Sequence, residues 1–411
     1  MKKTVLLAMA LTLTAGPAFG QGYRIPEQSI NAVALSNAYA ANTNGADTSY
    51  YNPARMSWLD NKWQSEFSLL YINLPSIEYT HNGDAAKNSG SRDENFLLPN
   101  IHMVSPEMNN FRFGLSVVYP FGLSKRWDNA LPRTSAEEFT LKTYEFNPTV
   151  SYRFNDKLSV GAGARMIFSD GKVKSNGLVS GAQLVRDLEG DAMNYGYNLG
   201  ISYLPASGLS LAATYRSKVN LEIEGNATLS NITTNKHYAG YAEVMVPAPA
   251  VLTLGAAYTW DKTTVEFTYD KTYWSAYDKL DFNYAYALSS LDALLSGVFD
   301  APGAKNWTNA DSFRFGVTHR CTREWTAMAG FAIDKNPVPD STLGFELPDS
   351  DAKLYSLGAK YQYNDRLTFG AACLYSDKES RSVTNTSAIK PNGTFDEAAA
   401  HMVSLGLRYD F

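Results

Sequence analysis

Few side chains in this sequence stand at spacings that could do covalent chemistry. The five histidines, His81, His102, His237, His319 and His401, are scattered with no metal-ligand spacing. Two cysteines, Cys321 and Cys373, are too few for a disulfide framework. Gly161-Ala162-Gly163 lies inside an alternating segment, where glycines make room rather than hold phosphate, and no Gly-Lys-Ser/Thr loop occurs. No catalytic residue, metal site or cofactor is therefore expected. The local motif with a physical consequence is in the backbone: Phe111, Phe113, Leu115, Val117 and Tyr119 alternate regularly and then meet Pro120-Phe121-Gly122. Proline removes a ladder donor and glycine permits conformations that other residues resist, so the strand either breaks there or ends at Tyr119.

The elements that must carry these residues are strands. The 411 residues are 45% hydrophobic, 13% aromatic and only 19% charged, which excludes a disordered, collagenous or coiled-coil chain. From about Trp63 onward, segments of about ten residues alternate apolar with polar or small side chains, as in a half-buried strand. Leu158, Val160, Ala162, Ala164, Met166 and Phe168 share one face, opposite Ser159, Gly161, Gly163 and Arg165. The last segment sets His401, Val403, Leu405, Leu407, Tyr409 and Phe411 opposite Met402, Ser404, Gly406, Arg408 and Asp410. A β-sandwich or propeller would also alternate, but faces carrying Gly, Ser, Thr, Asn and Arg opposite aromatics suit a transmembrane barrel with an enclosed polar lumen. Outside the first twenty residues no run of eighteen apolar residues could cross a bilayer as a helix, and a closed barrel satisfies its backbone in hydrocarbon without one. His319, His401 and both cysteines fall in the lipid-facing phase, so the cysteines are expected to be unpaired.

Turns set the strand number. Tight connections are expected at Met108-Asn109-Asn110, Asn155-Asp156-Lys157, Pro205-Ala206-Ser207-Gly208, Asp261-Lys262-Thr263, Thr322-Arg323-Glu324 and Asn364-Asp365-Arg366. With both termini on the short-turn side, six turns require an all-β antiparallel barrel of about 14 strands. Long outer loops are expected at about 73–95, 123–141, 170–193, 224–244, 271–311, 335–351 and 377–398. Two of these have helical spacing, at Leu178, Val179, Ala182, Val185 and Leu188 and at Leu288, Leu291, Leu294, Leu295 and Val298.

Three regions follow. Residues 1–20 have the basic start, apolar middle and small residues of a secretory signal peptide, with cleavage expected after Gly20; loss of Lys2 and Lys3 takes the net charge from −5 to −7 and leaves no basic block for nucleic acid. Residues 21–60 are rich in Ala, Asn, Ser and Gly, yet carry Ile30, Val33, Leu35, Tyr39, Tyr50 and Tyr51, which a free tail has no use for. They are expected to fold inside the lumen as a plug. Residues 61–411 form the barrel.

Tyr50-Tyr51-Asn52-Pro53-Ala54, the stretch Pro99 to Pro106 and Asp334-Lys335-Asn336-Pro337-Val338-Pro339-Asp340 resemble the FadL/TodX-type outer-membrane transporters of long-chain fatty acids and other hydrophobic compounds. The resemblance spans the mature chain to Phe411. It implies a 14-stranded barrel closed by an N-terminal hatch containing Asn52, Pro53 and Ala54, and an inward kink at Pro120, Phe121 and Gly122 as a side opening to the bilayer. It also implies Lys305 as a headgroup-binding residue and Asp334 as a lumen-side acid. A second basic residue, expected near Ser175, is absent, with Lys172 and Lys174 close by; Lys174 is the candidate, and the departure leaves a fatty acid and a neutral hydrocarbon both open as ligand.

The expected function is passive uptake of hydrophobic small molecules, long-chain fatty acids first among them, across the outer membrane. Capture would be at the outer loops, binding in a lumen pocket, and release sideways through the third strand, by a monomer embedded in outer-membrane lipid. The alternatives are a general diffusion porin, which needs a hydrated, unplugged lumen, and an outer-membrane lipase, which needs an inward Ser/His pair.

Overall fold

The computed structural model describes residues 21–387 and 389–411; the expected signal peptide, residues 1–20, lies outside them. Fourteen antiparallel strands close into a barrel, numbered here β1 to β14. They are β1 Gln64–Leu74, β2 Glu94–Val104, β3 in two segments Phe111–Val118 and Gly122–Arg126, β4 Glu138–Arg153, β5 Leu158–Val179, β6 Ala182–Ala206, and β7 in the segments Leu209–Arg216 and Val219–Asn231. Then follow β8 in the segments Lys236–Ala248 and Val251–Trp260, β9 Thr263–Thr272, β10 Ala310–Arg320, β11 Trp325–Asp334, β12 Ala352–Gln362, β13 Leu367–Lys378 and β14 Ala399–Asp410. Each strand pairs with its chain neighbours, and β1 closes on β14 from Gln64↔Asp410 to Asn73↔His401, so no edge is left over. Among the described residues no helix is long and apolar enough to cross a membrane.

The alternation has the inverted sense of a membrane barrel. Along β10, Phe313, Phe315 and Val317 are exposed while Arg314 is fully buried; along β1, Phe67, Leu69 and Tyr71 are exposed and Ser68 and Leu70 buried. The outer face is thus the apolar one, which only a hydrocarbon surround makes favourable. All six expected tight turns are found, leaving seven connections at the opposite, long-loop end. His319 and His401 face outward, and both cysteines are free and exposed, although Cys321 sits in the turn after β10 rather than in the wall.

Two of the expected outer loops are instead strand. Residues 170–193 belong to one hairpin, β5–β6, that turns only at Ser180 and Gly181, both at positive φ, and residues 224–244 continue β7 and β8 to a turn at 232–235. The 178–188 stripe is therefore not helical. Its inward members Ala182, Leu184 and Leu188 pack instead on Leu288, Leu295 and Phe299, which do lie in short helical turns. A protruding β-surface covered by a helical loop satisfied both periodicities at once.

The N-terminal segment runs along the inner wall. The short helix Ile30–Ala34, capped by the Ser29 hydroxyl, packs on β11 to β14, and the turn Pro53–Trp58 packs on β3 to β6. Wall glycines permit this approach: a Cβ at Gly330 would collide with the Leu35 backbone, and one at Gly161 with Pro53 and the Ala54 amide.

Candidate functional site

At the centre of the site is the interruption in β3. Val118 pairs with Glu145 of β4 and Gly122 with Lys142, so residues 119–121 stand opposite only 143–144. The β2–β3 ladder reaches only Ile101↔Val117, although β2 continues to Glu94 on its β1 side. The strand therefore does not end at Tyr119; it turns away from β2 and resumes at Gly122. Its freed peptide groups are taken up by the N-terminal segment. Ile25 N donates to Pro120 O at 2.8 Å, and Gly122 N donates to Tyr23 O at 2.9 Å. The Gln28 amide both accepts from Tyr119 N at 2.7 Å and donates to Tyr119 O at 3.0 Å. These bonds satisfy peptide groups of residues 119, 120 and 122 that the turn takes out of the wall ladder.

A cavity of about 770 Å³ opens at this turn. It touches the inward residues Glu27, Lys125 and Asp334, yet also Leu97 and Tyr144, which are 61% and 48% exposed on the outer face. The void is thus bordered by residues of both faces of the wall. On its long-loop side, Tyr23, Leu123, Leu141 and Leu347 separate it from a smaller apolar pocket bordered by Phe139, Val173, Trp307 and Lys305. Tyr23 is held there by a 2.6 Å hydrogen bond to Pro247 O and by edge contact with Trp274 at 4.6 Å. On the short-turn side of the N-terminal segment lies a different space, about 240 Å³ bordered by Glu66, Glu266, Lys360 and Arg408. The lumen is therefore mainly apolar above the segment, with Glu27, Lys125 and Asp334 at its border, and charged below it.

Lys305 lies in the small outer pocket, where its ammonium donates to the Glu346 carboxylate. Burial alone would lower the Lys305 pKa and raise that of Glu346, but each charge more than offsets this for the other, so Lys305 ends above and Glu346 below its ordinary value. Stabilisation by the pair is present between those values; it is lost as pH falls through the lowered Glu346 pKa or rises through the raised Lys305 pKa. Lys305→Met leaves Glu346 buried without its partner and is expected to cost about 3 kcal/mol of local stability. The double variant Lys305→Met/Glu346→Gln should recover most of it, read as the rate of protease cleavage in the 335–351 loop of the folded barrel.

Lys174 is not brought to Lys305: it pairs across the hairpin with Asp187 at 2.9 Å, while Lys172 reaches the outer pocket. Asn52 is fully buried; its amide donates to Ala40 O at 3.1 Å and its side-chain oxygen caps Ala54 N at 3.2 Å, with Pro53 opening the turn. Ser159 of β5 donates to Ala54 O at 2.8 Å.

Asp334 belongs to a buried network that the strand pattern alone did not reveal. Arg314 of β10 binds Asp334 at 2.9 Å and Asp270 of β9 at 3.3 Å, donates to Ser36 O at 2.8 Å and lies 3.9 Å from Glu27. Arg24 adds a second cation, 3.1 Å from Asp270. The network ties wall to N-terminal segment. A signal for it existed, since Asp270 follows Tyr269 and Arg314 stands between Phe313 and Phe315, both as charges in the inward phase.

The family described as "Outer membrane protein transport protein (OMPP1/FadL/TodX)" matches residues 11–411. The chain is 24% identical to the long-chain fatty acid transport protein of Escherichia coli O6:H1 (strain CFT073), over 90% of this chain and 91% of the other. In fold it matches a Pseudomonas aeruginosa FadL homologue with a TM-score of 0.83 at 21% identity, covering 95% of this chain and all of the other. It matches the Pseudomonas putida toluene transporter TodX with a TM-score of 0.73 at 16% identity, covering 95% and 99%. A closed barrel of inverted alternation, broken at its third strand and matched along nearly its whole length, makes this chain a member of the OMPP1/FadL/TodX family, outer-membrane transporters rather than enzymes.

Proposed function

We propose that this protein takes up hydrophobic small molecules, long-chain fatty acids first among them, and releases them sideways into the outer membrane through the break at Pro120, Phe121 and Gly122. The observation that carries the reading is the cavity of about 770 Å³ bordered at once by lumen-side and lipid-side residues. The ligand would be captured at the long-loop, extracellular end in the outer pocket, where Lys305 meets the headgroup, with Lys174 farther out along β5. It would then pass Tyr23 into the larger cavity, whose volume suits a ligand site of about 300–1,000 Å³. Residues 21–60 act as the hatch, with Asn52-Pro53-Ala54 as its anchor and Asp334 as part of its tether.

Straight passage is the poorer route. A chain loses about 0.8 kcal/mol per methylene on entering water or a charged space such as that around Glu66 and Lys360. Lateral exit avoids that cost. The reading is tested by identifying the molecule that co-purifies with the full chain and by solute flux in liposomes: an alkyl-chain ligand and no sugar entry are expected, whereas rapid sugar entry would mean a porin.

A further inference from the structure

We infer that the anionic headgroup of the ligand is received by Lys125, on the resumed segment of β3 just past the break, so that the large cavity selects long-chain carboxylates over neutral chains of equal length. The inference rests on the transport reading above and deepens it. Lys125 borders the cavity and shares the inward phase of Leu123, Leu141 and Phe139, its pairing partner on β4. It is 4% exposed, and the hydrogen bond its ammonium makes is to the Ser91 hydroxyl at 3.2 Å.

Among the described residues no carboxylate oxygen lies within 4.0 Å of that ammonium. The acids nearby are engaged elsewhere. Glu94 is held by Arg126 through two bonds of 2.8 and 2.5 Å, Asp93 accepts from Ser76 N at 2.6 Å, and Asp349 is held by Lys378 at 2.7 Å and by Gly22 N at 2.8 Å. Lys378 borders the same cavity and adds like charge. A cation out of water with no counter-ion is costly to maintain unless something brings the opposite charge. At this position that partner is a ligand's headgroup, with its tail along Phe121, Phe96 and Leu98 toward the gap at Leu97. Lys305 differs in this respect, because Glu346 already neutralises it.

The test is equilibrium binding of tritiated hexadecanoate and of hexadecan-1-ol to the immobilised full chain in a maltoside detergent. Wild type should prefer the carboxylate, and Lys125→Met should lose about 10- to 100-fold in carboxylate affinity, the share of one charge-assisted hydrogen bond, with alcohol binding unchanged. Lys125→Arg should keep the preference. Because methionine removes a charge that has no protein counter-ion, the barrel should stay folded by heat-modifiable gel mobility, and Lys125→Gln gives the same reading if it does not. A carboxylate preference that survives in both Lys125→Met and Lys125→Gln, or that vanishes in Lys305→Met instead, overturns the inference and leaves the transport reading standing. Failure of wild type to bind either chain overturns both.

Discussion

Cells that depend on this protein for long-chain fatty acid entry are expected to lose uptake to background, a fall of more than about tenfold, when it carries Pro120→Thr and Gly122→Val together. Both changes lie in the wall strand. Threonine restores a backbone donor at 120, and a β-branched residue at 122 favours continuous strand. A Cβ at 122 would stand 3.0 Å from Ile25 Cδ1, pressing on the N-terminal residues that now satisfy the freed peptides. Closing the ladder toward β2 would cover the path past Leu97 and Tyr144, leaving only the charged space at Glu66, Glu266, Lys360 and Arg408, which an alkyl chain crosses at a penalty growing with every methylene. Binding of hexadecanoate at the outer pocket should survive, since no residue bordering that pocket is substituted, while the path of its tail toward Leu97 is closed. Unchanged uptake by a folded, correctly inserted double variant would sink the side exit.

The wall was legible because each barrel strand must present one face to hydrocarbon and the other to the lumen, a demand that writes a period of two into residues such as Phe313-Arg314-Phe315-Gly316-Val317. Tight turns at Asn, Asp and Gly then yielded the strand number, and Pro120 with Gly122 marked the break. Pattern reasoning failed above the membrane. There β5 to β8 extend as paired strands through Asp170 to Met193 and Glu224 to Val244, and polar residues on the solvated face hide the alternation. The stripe from Leu178 to Leu188 matched helical spacing only because its inward residues repeat on a surface that a separate helical loop covers.

The site was half legible for a different reason. Lys305 carries a charge that any outer loop could carry; what decides its state is Glu346, which is remote in sequence and adjacent only after two loops fold over one pocket. Lys125 and Arg126 are neighbours with the same charge, and nothing in their order says which is free. Glu94 across the opening takes Arg126, and Lys125 is left facing the cavity. Ownership of a counter-ion is a tertiary fact. The same holds for Asp334, whose partner Arg314 comes from β10 and is shared with Asp270 of β9 and Glu27 of the N-terminal segment.

Arg314→Met is expected to turn a closed barrel into a conducting one. Wild type meets three buried carboxylates, Glu27, Asp270 and Asp334, with two guanidinium groups, Arg24 and Arg314. Removing the central cation leaves the buried acids facing one another and breaks the bond to Ser36 O, at a cost of about 3–5 kcal/mol. The ladder of fourteen closed strands does not depend on that residue, so the loss falls on what the network holds in place, the segment that includes Arg24, Glu27 and Ser36. Once it shifts, the apolar cavity above and the charged one below become a single path, and single-channel current and sugar-driven liposome swelling should rise from near zero to porin-like levels. Arg314→Lys, which keeps charge but loses the fork of donors, should fall between. Glu27→Gln should change little, because the Glu27 Oε1 has no hydrogen-bond partner and removing its charge relieves the excess of acids. A folded Arg314→Met barrel as impermeable as wild type would mean that the wall glycines and the Asn52 to Ala54 turn hold the segment unaided.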